Sequence, residues 1–174
     1  MKRTRFLKNH TVAVVGSPRT VMSATPLINI LLVEDNPGDV RLAQETLKEY
    51  KLQNALHTVG DGEEALRYLR GEEPYSGAPK PDMILLDLRM PMMDGVEVLE
   101  ELQQDESLRR IPTALMTSSR MDEELLRRYK VPVNCFLQKP LTVERFLDAV
   151  RCFPQFGLSI VRVPAWSDQQ TARR

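Results

Sequence analysis

Two cysteines in 174 residues, Cys135 and Cys152, are too few for a disulfide framework. Both are read as reduced thiols that behave as small core residues in a cytoplasmic protein. Long apolar runs are equally scarce: none approaches the roughly 18 residues of a membrane span, which excludes a transmembrane helix. No G-x-x-x-x-G-K-[ST] or G-x-G-x-x-G run occurs, so the usual backbone cradles for nucleotide phosphates are missing. Acidic residues are absent from positions 1–26, which hold Lys2, Arg3, Arg5, Lys8 and Arg19. Because the formal net charge is zero, the rest of the chain is acidic by the same five charges. An acidic body does not neutralise a phosphate backbone over a wide surface, and no DNA binding is expected. The basic head precedes the apolar TVAVVG stretch, but Pro18 and Arg19 stand where a signal peptide needs small residues. Residues 1–26 are therefore expected to be a disordered extension.

What is present is ordinary globular material, 42% apolar and 28% charged, enough for one domain with some chain to spare. After Pro26, short apolar runs alternate with longer amphipathic ones. Strands are expected over 28–33, 54–59, 83–86, 112–116 and 134–137. Helices are expected over 39–50, after the Gly60-Asp61-Gly62 turn, and over 95–104, 122–130 and 142–153. In the first helix Val40, Ala43, Leu47 and Tyr50 share one face, and in the third Val96, Leu99 and Leu102 do. Residues 71–82, GEEPYSGAPKPD, read as a loop. The strands are continuous apolar runs rather than alternations, as in a strand buried on both faces. Five strand-helix repeats thus imply an α/β fold, a parallel sheet covered by helices on both sides.

In open parallel sheets, sites form beyond the carboxyl ends of the strands, where strand order reverses. The residues at those ends are Glu34 and Asp35, then Asp87, Thr117 and Lys139. Three acids, a hydroxyl and an amine would converge on one rim, which explains why an apolar strand stops at two adjacent carboxylates.

From about residue 27 to 153 the chain resembles a response-regulator receiver domain, the phosphoacceptor module of two-component signalling. The resemblance lies in LLVEDN, ILLDLRMPMMDG, LMTSS and LQKP, in that order on successive strand ends. It implies a doubly wound, flavodoxin-like sheet with strand order 2-1-3-4-5, over a receiver domain at 27–154. VEDNPGDVRL, the long loop 71–82, VNCFLQKP and FPQFGLSIVRVP are similar to single-domain regulators that work with bacterial phytochromes. Two features depart from the common receiver pattern: YKVPVN precedes the last strand, and the aromatic switch position holds Phe136 instead of tyrosine.

Three carboxylates within about 4 to 5 Å repel by roughly 4 kcal/mol per pair at an effective dielectric near 20, so a divalent cation is needed among them. Mg2+, a hard ion that pairs with phosphate oxygens, suits Glu34, Asp35 and Asp87, and the resemblance adds the backbone carbonyl of Arg89. Asp87 is then the nucleophile and phosphoacceptor. Lys139 would balance the phosphoryl charge, and the resemblance implies a cis bond to Pro140 that aims its amine. Thr117 would donate its hydroxyl to a phosphoryl oxygen, leaving room for Phe136 to turn inward. Taken singly, most of these residues have bland roles: Glu34, Asp35 and Asp39 as helix caps, Thr117 as a turn hydroxyl, Lys139 as a solvated cation, Phe136 as core. Their convergence on one rim favours the site.

The expected function is a single-domain regulator, not an enzyme, phosphorylated on Asp87 by a sensor histidine kinase of the bacteriophytochrome type and signalling through a protein contact. One alternative is an adaptor that works without phosphorylation. Another is an aspartate-nucleophile phosphatase, disfavoured because Arg89 occupies the place of its second acid. Residues 155–174 form a C-terminal extension whose first half is apolar enough to need burial, which suggests a homodimer through the fifth helix and this extension.

Overall fold

The five apolar runs become β1 (Ile28–Val33), β2 (Asn54–Val59), β3 (Met83–Asp87), β4 (Thr113–Thr117) and β5 (Cys135–Gln138). The structure is a computed structural model that describes residues 28–49, 54–128 and 133–153. All four strand pairings are parallel, in the order β2-β1-β3-β4-β5. The expected extensions at 1–26 and 155–174, Tyr50 and most of YKVPVN lie outside the described residues. Between the strands run α1 (Pro37–Glu49), α2 (Gly62–Arg70), α3 (Gly95–Gln104), α4 (Arg120–Arg128) and α5 (Val143–Arg151).

Successive strand residues point to opposite faces, so each face acquires its own core. Leu31, Val33, Ile84, Leu86 and Leu115 pack with Ala65, Leu66 and Leu69 of α2 and Val98, Leu99 and Leu102 of α3. Ile30, Leu32, Met83, Leu85, Ala114 and Met116 pack with Ala43 and Leu47 of α1 and Phe146, Ala149 and Val150 of α5. This is the two-faced parallel sheet that the continuous apolar runs imply.

Local chemistry sets where the helices begin. Asp61, Asp94 and Thr142 cap α2, α3 and α5, and Asp94 with Glu97 forms a reciprocal capping box. Gly71 ends α2 at φ 68°, where a side chain would be strained. Two expectations need correction. α1 starts at Pro37, not 39, because Asn36 Oδ1 accepts from the N–H groups of Gly38 and Asp39; the cap is Asn36, and Asp39 lies inside the first turn. In α3 the fully buried valine is Val98, with Val96 only half-buried, since GVEVLEEL allows either phase of the apolar spacing.

Strand order reverses at β1, whose neighbours are β2 on one side and β3 on the other. Val33 pairs with Leu86, which sets Glu34, one residue on, level with Asp87. The start of α3 is pressed against this same strand end. A Cβ on Gly95 would lie 2.4 Å from the Asp87 carbonyl oxygen, 2.9 Å from Leu115 Cδ1 and 3.0 Å from Leu88 Cα. Gly95→Ala is therefore expected to lower stability by about 3 kcal/mol in urea unfolding, because backbone atoms must move. An unchanged midpoint would mean that this approach is looser than described.

Candidate functional site

Glu34, Asp35 and Asp87 each offer a carboxylate oxygen, and these atoms lie within 4.8 Å of one another. Glu34 and Asp87 are buried, at 2% and 4% exposure, whereas Asp35 is open to solvent. β1 and β3 position the buried pair, and the chain continues past β1 to carry Asp35. Glu34 Oε1 accepts the Asn36 N–H at 3.2 Å, and the Glu34 N–H donates to Val59 O at 3.1 Å. Asp87 Oδ1 accepts the Arg89 N–H at 3.4 Å.

Lys139, just past β5, extends into the same place. Its Nζ is 2.7 Å from Glu34 Oε2, 2.7 Å from Asp39 Oδ2 and 3.1 Å from Asp87 Oδ2. The contact to Glu34 is close but poorly aligned, so buried Oε2 has no hydrogen-bond partner. Burial pushes the Glu34 carboxyl up to about 7; Lys139 opposes this and the Asp87 charge adds to it. For Lys139, burial disfavours the charged form, but the close carboxylates of Asp39 and Glu34 and the charge of Asp87 outweigh it. The ammonium is held above its ordinary range.

The donor set fits a hard divalent cation. Three carboxylates share one spot, one buried oxygen lacks an aligned donor, and a single ammonium faces them together with a fourth acid, Asp39. Two carboxylates from separate strand ends and one open to water would satisfy an ion that keeps part of its hydration.

The remaining expected residues surround this cluster. Thr117 is buried at the end of β4; its hydroxyl accepts the Ser119 N–H at 3.1 Å and donates to Ser119 O at 3.4 Å. Its carbonyl accepts the Lys139 N–H at 2.8 Å, coupling the two strand ends. Phe136 is half-buried on β5, with the Arg127 guanidinium 4.7 Å from its ring centroid. The Arg89 side chain turns away from the carboxylates to a two-point contact with Asp122 on α4, at 2.8 and 3.3 Å. No acid stands at that place, as an aspartate-nucleophile phosphatase would require. The Lys139-Pro140 bond is cis, as the resemblance implies.

Two residues at the site carry no signal in the sequence that would select them. Asp39 reads as a helix-start acid, and its contact with Lys139 exists only because α1 and β5 meet. Arg145 on α5 reads as a surface base, yet its Nη1 donates to Gln138 O at 3.0 Å and Pro140 O at 2.9 Å, gripping the backbone on both sides of Lys139. No sequence spacing signals either contact, because both depend on tertiary packing.

Known proteins resemble this chain in sequence and fold. Residues 30–151 match the family described as response regulator receiver domain. Response regulator Rcp1 of Synechocystis sp. (strain ATCC 27184 / PCC 6803 / Kazusa) is 38% identical over 136 residues, 78% of this chain and 92% of Rcp1. A structure of Rcp1 in its Mn2+-bound form superposes with a TM-score of 0.61 at 38% identity, over 79% of this chain and 99% of that one. The bacteriophytochrome response regulator AtBRR is 37% identical, with a TM-score of 0.70, over 80% of this chain and 99% of its own. The phosphorylated cyanobacterial phytochrome response regulator RcpA is 38% identical, with a TM-score of 0.63, over 80% of this chain and 100% of its own. Among the described residues, no helix is long and apolar enough to cross a membrane.

Proposed function

Because the chain belongs to the response regulator receiver domain family, we propose that it is a cytoplasmic signalling protein whose phosphoacceptor is Asp87. The observation that carries this reading is the meeting of Glu34, Asp35 and Asp87 with Lys139 at the one rim where strand order reverses. The donor is a phosphohistidine of a sensor histidine kinase, and the likeness to the bacteriophytochrome regulator and to Rcp1 favours a phytochrome-type kinase.

Glu34, Asp35, Asp87 and the Arg89 carbonyl would hold Mg2+. When bound, the ion neutralises the crowded carboxylates and spreads the negative charge of the transferring group. Asp87 supplies the nucleophilic oxygen: a P–O bond to its carboxylate forms as the P–N bond to the imidazole breaks, and the imidazole leaves with the bonding pair. Lys139 Nζ, already 3.1 Å from Asp87 Oδ2, passes a donor to a phosphoryl oxygen. The new group carries about −1.5 to −2 charge and three acceptor oxygens. Thr117 then exchanges its hydroxyl contacts with Ser119 for one of those oxygens. The loop after β4 moves inward, and Phe136 leaves Arg127 to occupy the space vacated. The exposed face of α4, β5 and α5 changes with it, and a protein partner reads that face.

Incubation with acetyl phosphate and Mg2+ tests this. The protein should take up one phosphoryl group in Mg2+ and none in chelator. Partner binding with no uptake would favour a phosphorylation-independent adaptor instead. We also propose a homodimer through α5 and residues 155–174. Solution mass should fall from dimer to monomer when the chain is truncated after Phe153, and a monomeric mass for both forms would remove the idea.

A further inference from the structure

The phosphoacceptor reading gives Lys139 two partners with work to do and leaves a third without a role. Asp39 Oδ2 stands 2.7 Å from Nζ, closer than Asp87 Oδ2 at 3.1 Å. An ammonium has three donors, and here three carboxylates from three chain segments surround it. The three contacts are not equivalent. Asp87 accepts a hydrogen bond from Nζ, whereas Glu34 and Asp39 are ion-paired to it at 2.7 Å, and Glu34 belongs to the carboxylate cluster that suits a divalent ion. Asp87 surrenders a carboxylate oxygen to the acyl phosphate when phosphoryl arrives. Asp39 belongs neither to that cluster nor to the reacting atoms, so its contact with Lys139 is the one that can persist before, during and after transfer.

Asp39 is not needed to cap its own helix, since Asn36 does that. α1 is also fixed to the segment after Lys139, where Thr46 Oγ1 donates to Leu141 O at 3.1 Å. Together with the grip of Arg145 on Gln138 O and Pro140 O, the backbone around Lys139 is held. What remains free is the four-carbon stem, whose rotamers would otherwise scatter the ammonium over many positions.

We propose that Asp39 is a positioning residue: its carboxylate, at the start of α1, holds the Lys139 ammonium at the acceptor so that the phosphoryl group meets it already in place. The proposal rests on the phosphoacceptor reading above. It also makes a prediction opposite in sign to simple electrostatics. Removing a negative charge near an incoming anion should speed transfer by Coulomb attraction alone, whereas loss of positioning should slow it.

The test is a double-mutant cycle on the full chain, with acetyl phosphate and Mg2+ as the probe and thermal unfolding as the check on folding. Asp39→Asn should slow phosphorylation about threefold to tenfold, and in a Lys139→Ala background it should have no further effect. Equal slowing in both backgrounds would overturn the proposal, because Asp39 would then act through helix structure and not through the lysine. Labelling of Asp39→Asn at or above the wild-type rate would overturn it as well. Failure of the wild type itself to take up phosphate would instead refute the phosphoacceptor reading. A second measurement does not depend on residual labelling by the lysine variant: competitive acylation of amines should rise at Lys139 in Asp39→Asn and stay level at the other lysines. Unchanged reactivity at Lys139 would contradict the tether.

Discussion

Asp87→Asn should fold as the wild type does and take up no hydroxylamine-labile phosphate from acetyl phosphate. The amide has nearly the shape of the carboxylate and can still accept the Arg89 N–H, which now lies 3.4 Å from Oδ1. It has no free anionic oxygen to attack phosphorus, so acyl phosphate formation should drop to background. Stability should change little, by about 1 kcal/mol at most, because two effects oppose each other. Lys139 loses one partner but keeps Glu34 and Asp39, and Glu34 loses the neighbouring charge that raises its pKa. Labelled phosphate persisting at the wild-type level would place the acceptor elsewhere.

Lys139→Ala should give the largest change in stability of any substitution at the site. Its side chain is 16% exposed, and those of Glu34 and Asp87 are 1% and 6% exposed. Taking away the cation leaves buried carboxylates facing one another, a kind of loss that costs about 3–5 kcal/mol. In chelator, the urea midpoint should fall accordingly. In Mg2+, mass action on the folded state should restore part of the loss, and the Mg2+-induced shift should be larger in the variant than in the wild type. Some phosphate uptake should survive because the nucleophile is intact, while phosphorylation-dependent partner binding should weaken. A midpoint in chelator equal to that of the wild type would mean that the lysine is not the counter-charge of these acids.

Much of this site is legible in the sequence for a physical reason. A strand buried on both faces must be apolar along its whole length, so charged residues at its end stand out. LLVED and ILLD therefore mark two strand ends directly, and parallel pairing brings those ends together. Helix interiors are less legible. Val96 and Val98 satisfy the apolar spacing equally well, and only contact with the sheet decides between them. Asp39 and Arg145 are hidden for a related reason: an acid in a first helical turn and a base on an amphipathic helix already have local explanations in the helix dipole and in solvent exposure. Their contacts with the Lys139 segment join residues about a hundred positions apart in one case and one helical turn beyond a strand in the other. Thr117 is intermediate, since its place at the end of β4 is legible but its engagement with Ser119 is not.

Two strand-end carboxylates are buried together, a third is open, and one buried oxygen lacks an aligned donor. Such an arrangement suits a divalent ion, and on the proposed reading metal binding and phosphoryl acceptance would use the same residues.

The most direct measurement is chemical trapping of the acceptor. Protein treated with acetyl phosphate and Mg2+, reduced with borohydride and mapped by peptide mass spectrometry should carry homoserine in place of aspartate at position 87, with no such conversion in chelator. Conversion at a different carboxylate, or equal conversion at Asp87 without a divalent ion, would contradict the claim that these three acids form one metal-dependent phosphoacceptor.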